Sequence, residues 1–335
     1  MNQESDPLVS ILIPFKNEAP TVPIVLRALE IQETDFAFEV IFADGCSTDN
    51  TVEVILRHPL CQKVRVSVIA LPPEHHGMTA GWNAAAKRAR GTYFLFMQSD
   101  VRTTDAKALA KVAEALRMPG VVATTYRCIN ADNAFGSYDF WGQVFQAQYI
   151  KLLDRNVYDD KFNAMPAEIF RQMNGFDAER FEFGGEQQDM LGRLQLRGKL
   201  MEVDVLMEHL HGFGKKFGWR GLLKKYCRNS EVMGATFDDC WRQRKTVPGI
   251  WSNLFQRAVI CLTAFATFVP PVWPWSLVLF TLLGIWWQRK AFFHIRDWRL
   301  VWLIPFAWAG LYCFTFFFLR GLLTGKSRFQ FDNKM

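Results

Sequence analysis

Thirty consecutive residues, Ala258 to Trp287, carry no charged side chain, and a second apolar run spans Val301 to Leu319. Stretches this long and this apolar read as membrane-crossing segments rather than as the core of a water-soluble domain. As a single helix the first would measure about 45 Å, half again the hydrocarbon thickness. The segment PPVWPW, Pro270 to Trp275, divides it instead into two helices, because proline interrupts the helical hydrogen-bond ladder. The first is expected from Ile250 to Val269, with Arg257 snorkelling, and the second from Val272 to Trp287 with its interfacial tryptophans. Residues 250–323 are thus expected to form a membrane region with two or three spans, followed by a polar tail at 324–335. Three spans leave Arg289, Lys290, Arg296 and Arg299 on the cytoplasmic side and send Arg320, Lys326 and Arg328 outward, whereas two spans reverse both sets. Charge counting leaves both topologies open.

Residues 1–245 have a different composition and hold most of the Asp and Glu. They are long enough for one large α/β domain. MNQESDP is polar and VSILIP is too short for the apolar core of a secretory signal. The expectation is a multi-pass protein of the inner membrane whose main domain stays cytoplasmic. Seven cysteines, at 46, 61, 128, 227, 240, 261 and 313, show no CxxC or other metal-ligand spacing and read as reduced thiols. The net charge is +6, and Lys215, Lys216, Arg220, Lys224, Lys225 and Arg228 fall in one basic segment at 215–228. Such a cluster ahead of an apolar region suits anionic headgroups or a phosphate. No nucleic-acid partner is expected.

Within the first 100 residues strands and helices alternate. VSILIPF is a continuous apolar run ending near Pro14, as for a strand buried on both faces. Val22, Ile24, Val25, Ala28 and Leu29 then repeat at helical spacing. EVIFADG is a second strand, after which Asn50 and Glu53 form a candidate capping box. VRVSVIAL, the helix TAGWNAAAKRAR and the strand GTYFLFM follow. This order implies a mostly parallel sheet covered on both faces by helices.

In such sheets ligands bind beyond the carboxyl ends of the strands. The loops there carry Lys16, Asn17 and Glu18; Asp44 and Gly45; Gly77; and Gln98, Ser99 and Asp100. Neither GxGxxG nor GxxxxGK[ST] is present, which excludes a dinucleotide fingerprint and a P-loop. His75 and His76 lie in a Pro-rich turn and read as a surface loop.

Four motifs in sequence order resemble family 2 glycosyltransferases of the GT-A fold. VSILIPFKNE resembles the opening strand of that family, FADGCSTDNT its DGSSTDNT, GWNAAAKRARGTYFLFMQSDV its AxNxGxxxAxGxYxxFLDxDD region, and FGGEQQDMLGRLQLRG its GEDxDLxxRLxxxG. The resemblance runs from about Val9 to Arg228. It implies an α/β, Rossmann-like GT-A domain, to which this chain adds C-terminal transmembrane helices. A nucleotide-sugar donor would lie against Pro14, Asn17, Glu18, Asp44, Gly77, Asn83, Gln98 and Ser99, with Glu18 and Asp44 at the nucleoside. Asp100 would anchor a divalent metal, Mg2+ or Mn2+, that neutralises the departing diphosphate. His209 or His211 would be a further ligand to it.

Two departures stand out. Gln98 replaces the first carboxylate of the metal-binding pair, which withdraws a full charge and implies a weakly bound metal or none. Gln187 occupies the position of the catalytic base, and an amide cannot accept the proton. Glu186 or Asp189 must then serve, with Glu186 favoured at the loop-to-helix junction. The QxxRW pattern of processive members is replaced by Lys225, Tyr226, Cys227, Arg228 and Asn229, so one sugar is expected per transfer, with Lys225 and Arg228 on the diphosphate or a lipid-linked phosphate.

The function expected is inverting transfer of a sugar to a lipid-linked or glycan acceptor at the membrane, in glycan or exopolysaccharide biosynthesis. The alternative is a catalytically silent, membrane-bound nucleotide-sugar-binding subunit, since both departures strike carboxylates. A nucleotidyltransferase would want a Gly-rich phosphate loop after the first strand, and PFKNEAP offers none.

Overall fold

Every residue of Val9–Phe15 is buried, as the unbroken apolar run requires of a strand with helices on both sides. Val9, Ile11, Ile13 and Phe15 enter one core with Val22, Val25, Leu26 and Leu29. Leu12 faces the other way, into a second core with Trp82, Ala85, Phe94 and Phe96. The alternation is the two-residue period of a strand, read out as two separate cores.

The computed structural model describes residues 6–75, 77–130, 134–148, 156–181, 184–210, 218–242 and 250–326. The chain begins β1 (Val9–Phe15), α1 (Val22–Glu30), β2 (Phe38–Asp44), α2 (Thr51–Arg57), α3 (Leu60–Lys63), β3 (Arg65–Ala70), α4 (Met78–Arg88) and β4 (Tyr93–Met97). It continues through β5 (Val101–Arg102), α5 (Ala108–Arg117), β6 (Val121–Asn130), α6 (Ala134–Ser137), α7 (Phe140–Ala147), β7 (Asn156–Val157), β8 (Phe162–Pro166), α8 (Ala167–Gln172), α9 (Glu186–Gln195) and β9 (Lys199–His209). Four long helices close it: α10 (Gly218–Arg242), α11 (Ile250–Ala266), α12 (Trp273–His294) and α13 (Leu303–Thr324).

The chain divides into two compact units. The first comprises the described residues within Met1–Ala134, Lys151–Ala178 and Glu186–Phe213. Its main sheet has the order β3-β2-β1-β4-β8. The first four strands are parallel, and β8 runs antiparallel to β4. A smaller sheet has the order β5-β9-β6-β7. The loops after β1, β2 and β4 therefore open at the same edge of the main sheet, where the sequence concentrates its polar residues.

One local expectation is corrected. Asn50 stands at the N-cap of α2, but its side chain makes no cap hydrogen bond, and Glu53 pairs with Arg57 at 2.8 Å instead. Beside it the Asp49 carboxylate takes the Thr51 N–H at 3.1 Å and its hydroxyl as well.

The second unit, the described residues within Phe135–Ile150, Glu179–Gly185 and Gly214–Met335, is helical. Helices α10 and α13 lie almost backbone to backbone. A Cβ at position 234 would stand 2.0 Å from the Phe318 carbonyl, and one at 321 would stand 2.0 Å from the Glu231 carbonyl. Glycine is required at both. Between them the fully buried Glu231 pairs with Arg320 at 2.7 Å.

Helices appear at the positions expected for spans, with a break between Ala266 and Trp273. By length and apolarity, one segment among the described residues is a candidate membrane crossing: Trp298–Thr324, 27 residues that contain an 18-residue stretch of mean hydropathy 1.8. Leu254–Ala266 is apolar but shorter. The two or three spans expected from sequence thus reduce to one by this measure. Helix α12 is long enough, but its four tryptophans and the Gln288–Arg289–Lys290 end dilute its hydropathy.

Candidate active site

The loops after β1 and β2 are laced together. Asn17 adopts a left-handed backbone, φ 55°, a conformation that Asn tolerates better than most residues. Its N–H donates to Ser47 Oγ at 3.0 Å, and its Oδ1 accepts the Thr48 N–H at 2.7 Å. The Glu18 N–H donates to Thr51 Oγ1 at 2.9 Å, and the Ala19 N–H to Asp49 Oδ2 at 3.3 Å. Thr21 Oγ1 donates to Glu18 Oε2 at 2.5 Å. Asp44, half-buried at the end of β2, accepts the Ser47 N–H on Oδ1 at 2.9 Å. Pro14 lies in register with Ala43, beyond Leu12, where the β1–β4 ladder ends.

This end of the site is built before any ligand arrives. Pro14, Asn17, Glu18 and Asp44 are brought together as expected. Asp49 was not among the expected site residues, although it lies inside the FADGCSTDNT motif. Burial works to raise its pKa, but the Thr51 hydroxyl and backbone hydrogen bonds outweigh it and hold the carboxyl below its ordinary value.

Gly77 precedes α4 as its buried N-cap, with extended backbone. Asn83, further along α4, commits its amide to the backbone of Phe176: Nδ2 donates to the carbonyl at 2.8 Å, and Oδ1 accepts the N–H at 2.9 Å.

At the end of β4, Gln98 is half-buried and Ser99 buried, and Asp100 turns the chain into β5. Val101 pairs with His209 in the antiparallel β5–β9 ladder, and the Leu210 N–H donates to the Asp100 carbonyl at 2.7 Å. That register delivers His209 Nε2 to within 3.1 Å of Asp100 Oδ2. One carboxylate and one imidazole thus converge two residues from the Gln98 amide, a donor set of oxygen and nitrogen suited to a divalent ion, at low charge. Among the described residues no group of three or more His, Cys, Asp and Glu gathers as a metal site. His211 lies outside the described residues. Lys225 and Arg228 belong to the second unit, on α10, where Lys225 Nζ stands 3.9 Å from the centre of the Phe145 ring.

A group of acidic residues lies between β7 and β8 and at the start of α9. Gly184 and Gly185, at φ 127° and 97°, turn the chain so that Glu186 opens α9 with 1% of its surface exposed. Asp160 is fully buried, also in left-handed backbone at φ 56°, and neither carboxyl oxygen has a hydrogen-bond partner among the described residues. Burial first, then the charges of Glu186 and Asp159, push its pKa well above the ordinary carboxyl range. Both causes favour the protonated form of Asp160. Asp189 is held differently, paired with Arg193 at 2.6 Å. Arg193 in turn donates to the carbonyls of Met173 and Gly175 at 2.9 Å. Gln187 Nε2 donates to the Asp159 carbonyl at 2.9 Å.

Asp159 has two partners of its own, receiving hydrogen bonds from the Tyr126 hydroxyl on Oδ1 and from Lys161 Nζ on Oδ2. Neighbouring Cys128 is pushed up to about 12, by burial and then by Asp159, so its thiol is inert. No motif marked Asp159, Asp160 or Lys161. They fall between recognisable segments, and only the pairing of β8 with β4 brings them to the sheet edge.

A family model, glycosyl transferase family 2, matches residues 10–173. A putative teichuronic acid biosynthesis glycosyltransferase of Bacillus subtilis is 30% identical over 94 residues, 28% of this chain and 36% of that protein. A PGL/p-HBAD biosynthesis glycosyltransferase of Mycobacterium bovis is 30% identical over 107 residues, 32% of this chain and 41% of that protein. A poly(ribitol-phosphate) beta-N-acetylglucosaminyltransferase of Staphylococcus aureus is 30% identical over 92 residues, 27% of this chain and 16% of that protein. The chain thus spans well under half the length of these relatives. In fold it is similar to a mannosyltransferase from Pyrobaculum calidifontis solved in complex with GDP-Man and Mn2+, at 15% identity and a TM-score of 0.55, covering 96% of this chain and 88% of that one. With the strand order and the strand-end loops described above, the chain has a GT-A fold, and its residues 10–173 match glycosyl transferase family 2.

Proposed function

We propose that the protein is an inverting glycosyltransferase that moves one sugar at a time from a nucleotide-sugar to a lipid-linked or glycan acceptor at the cytoplasmic face of a membrane. The observation that carries this reading is the preformed strand-end edge. Interlocked loops present Asp44 and Glu18 at one end, and Asp100 meets His209 at the other. The first end suits a nucleoside and the second a diphosphate. The relatives, which act in cell-envelope biosynthesis by their names, support the acceptor class. The apolar Trp298–Thr324 segment supports membrane association.

Asp100 and His209, with the Gln98 amide, would hold a divalent ion, which supplies Lewis-acid stabilisation of the leaving diphosphate. The remaining work falls to side chains of the chain itself. Glu186 is the general base that takes the acceptor hydroxyl proton. Asp189 is occupied by Arg193, whereas Glu186 opens α9 near Asp160, whose carboxyl burial pushes well above the ordinary range. Asp44 and Glu18 orient the nucleoside, and positioning lowers the entropic part of the barrier.

The silent-subunit reading has one specific observation in its favour: Gln187, at the position of the family's base, is tied to the Asp159 carbonyl. Both readings are tested by supplying full-length protein with Mn2+ and a panel of UDP- and GDP-sugars, with membrane lipids as acceptor. Release of the nucleoside diphosphate with inversion at the anomeric carbon is expected. Donor binding without turnover across the panel would favour the silent subunit, and absence of both would overturn the assignment.

A further inference from the structure

The exchange of carboxylate for amide at position 98 leaves the diphosphate end one negative charge short of the family's pattern, and the strand pairing offers a response. In the antiparallel β4–β8 ladder Met97 is opposite Phe162. That pair ends the ladder, and Gln98 and Lys161 are the next residues beyond it, one on each chain segment. We infer that Lys161 is a diphosphate-binding residue, its ammonium providing beside Asp100 fixed positive charge that a metal held by two carboxylates would otherwise supply. This rests on the nucleotide-sugar reading above.

Three observations support it. First, Lys161 is held in place rather than waving in solvent. Its side chain is 13% exposed, its Nζ bonds Asp159 Oδ2, and Tyr126 secures the other oxygen of that carboxylate. Among the described residues Asp159 is the one hydrogen-bond acceptor of its three N–H donors. Second, it stays charged. Burial opposes the ammonium, but Asp159 more than compensates, and Cys128 and Asp100 add to the effect, so its pKa lies above the ordinary lysine value. Third, stability alone is a weak reason for the pair, because a buried ion pair gains little over well-packed apolar residues of similar volume.

The consequence is a site that binds nucleoside diphosphates with little help from a cation. The experiment is calorimetric binding of UDP and GDP to the full-length protein, in EDTA and in Mn2+, with UMP and GMP as controls. Wild type is expected to bind at least one diphosphate in EDTA more tightly than its monophosphate. Lys161→Met should weaken diphosphate binding in EDTA by about tenfold or more, the worth of one charged hydrogen bond, and leave the monophosphate unchanged. Lys161→Arg should retain most of the affinity. Because Lys161→Met strands a largely buried Asp159, the double variant Asp159→Asn/Lys161→Met is the companion, keeping the local charge balance while removing the ammonium. Wild-type diphosphate affinity in the double variant, or binding by wild type only when Mn2+ is present, would overturn the inference while leaving the nucleotide reading intact. If wild type binds neither nucleotide in any condition, the functional reading falls and the inference with it.

Discussion

The two ends of the strand-end edge are built on opposite plans. At the end proposed for the nucleoside, loops from β1 and β2 are tied by backbone hydrogen bonds to Asn17, Ser47, Asp49 and Thr51, and the motif departs from the family's only at Cys46, where the family has a serine. At the diphosphate end the pattern is broken at Gln98 and Gln187, and charge is redistributed among Asp100, His209, Asp159, Lys161, Asp160 and Glu186. A preformed hydrogen-bonded frame does not depend on a net charge and survives substitution only by copying itself. An electrostatic site needs a sum of charges, which different residues can supply. The first end is therefore expected to set geometry and the second to set rate.

The largest expected effect is at the second end. Glu186→Gln should lower kcat by about a thousandfold, within the range for loss of a general base, with donor binding unchanged by calorimetry. Full activity would move the base elsewhere. Asp100→Asn should reduce kcat/KM by about a hundredfold, as for loss of a main electrostatic stabiliser, and shift the Mn2+ optimum upward in a metal titration. Gln98→Asp should tighten Mn2+ about tenfold, since a carboxylate returns a full charge to the site. An unchanged metal affinity would mean that residue 98 does not face the ion.

Smaller effects probe the frame and the buried Asp160. Asn17→Ala should cost about 1–2 kcal/mol of stability, from one lost hydrogen bond and a left-handed backbone that Ala disfavours. It should weaken nucleotide binding while kcat holds. For Asp160 the sign is set by its raised pKa. The native state holds a proton that the unfolded state releases above the ordinary Asp value near 4, so stability falls as pH rises from there toward the raised value. Asp160→Asn keeps the left-handed backbone and removes the charge. Its thermal midpoint should vary less than wild type's between pH 5 and pH 8 and exceed it at the upper end.

Much of this was readable from sequence where one local rule decides the outcome. VSILIPF could only be a strand buried on both faces, and its alternating residues enter two cores. The resemblance implied a His at 209 or 211 near Asp100, and the β5–β9 register places His209 beside it. The capping box failed because the Glu53 side chain pairs with Arg57 one turn along and Asn50 makes no cap bond, which spacing alone does not resolve. The close approach of α10 to α13 at Gly234 and Gly321 depends on residues 84 or more positions apart along the chain. Lys161 was invisible for a related reason: YDDK belongs to no motif, and its place just beyond the end of β4 exists only through the β4–β8 pairing.

The most direct test of the account is a structure of the full-length protein with UDP or GDP bound, whichever binds in solution. The nucleobase is expected beside Asp44, the ribose toward Glu18, and the two phosphates between Asp100 and Lys161. A nucleotide seated away from this edge, or one whose phosphates point to the Asp44 end, would contradict it.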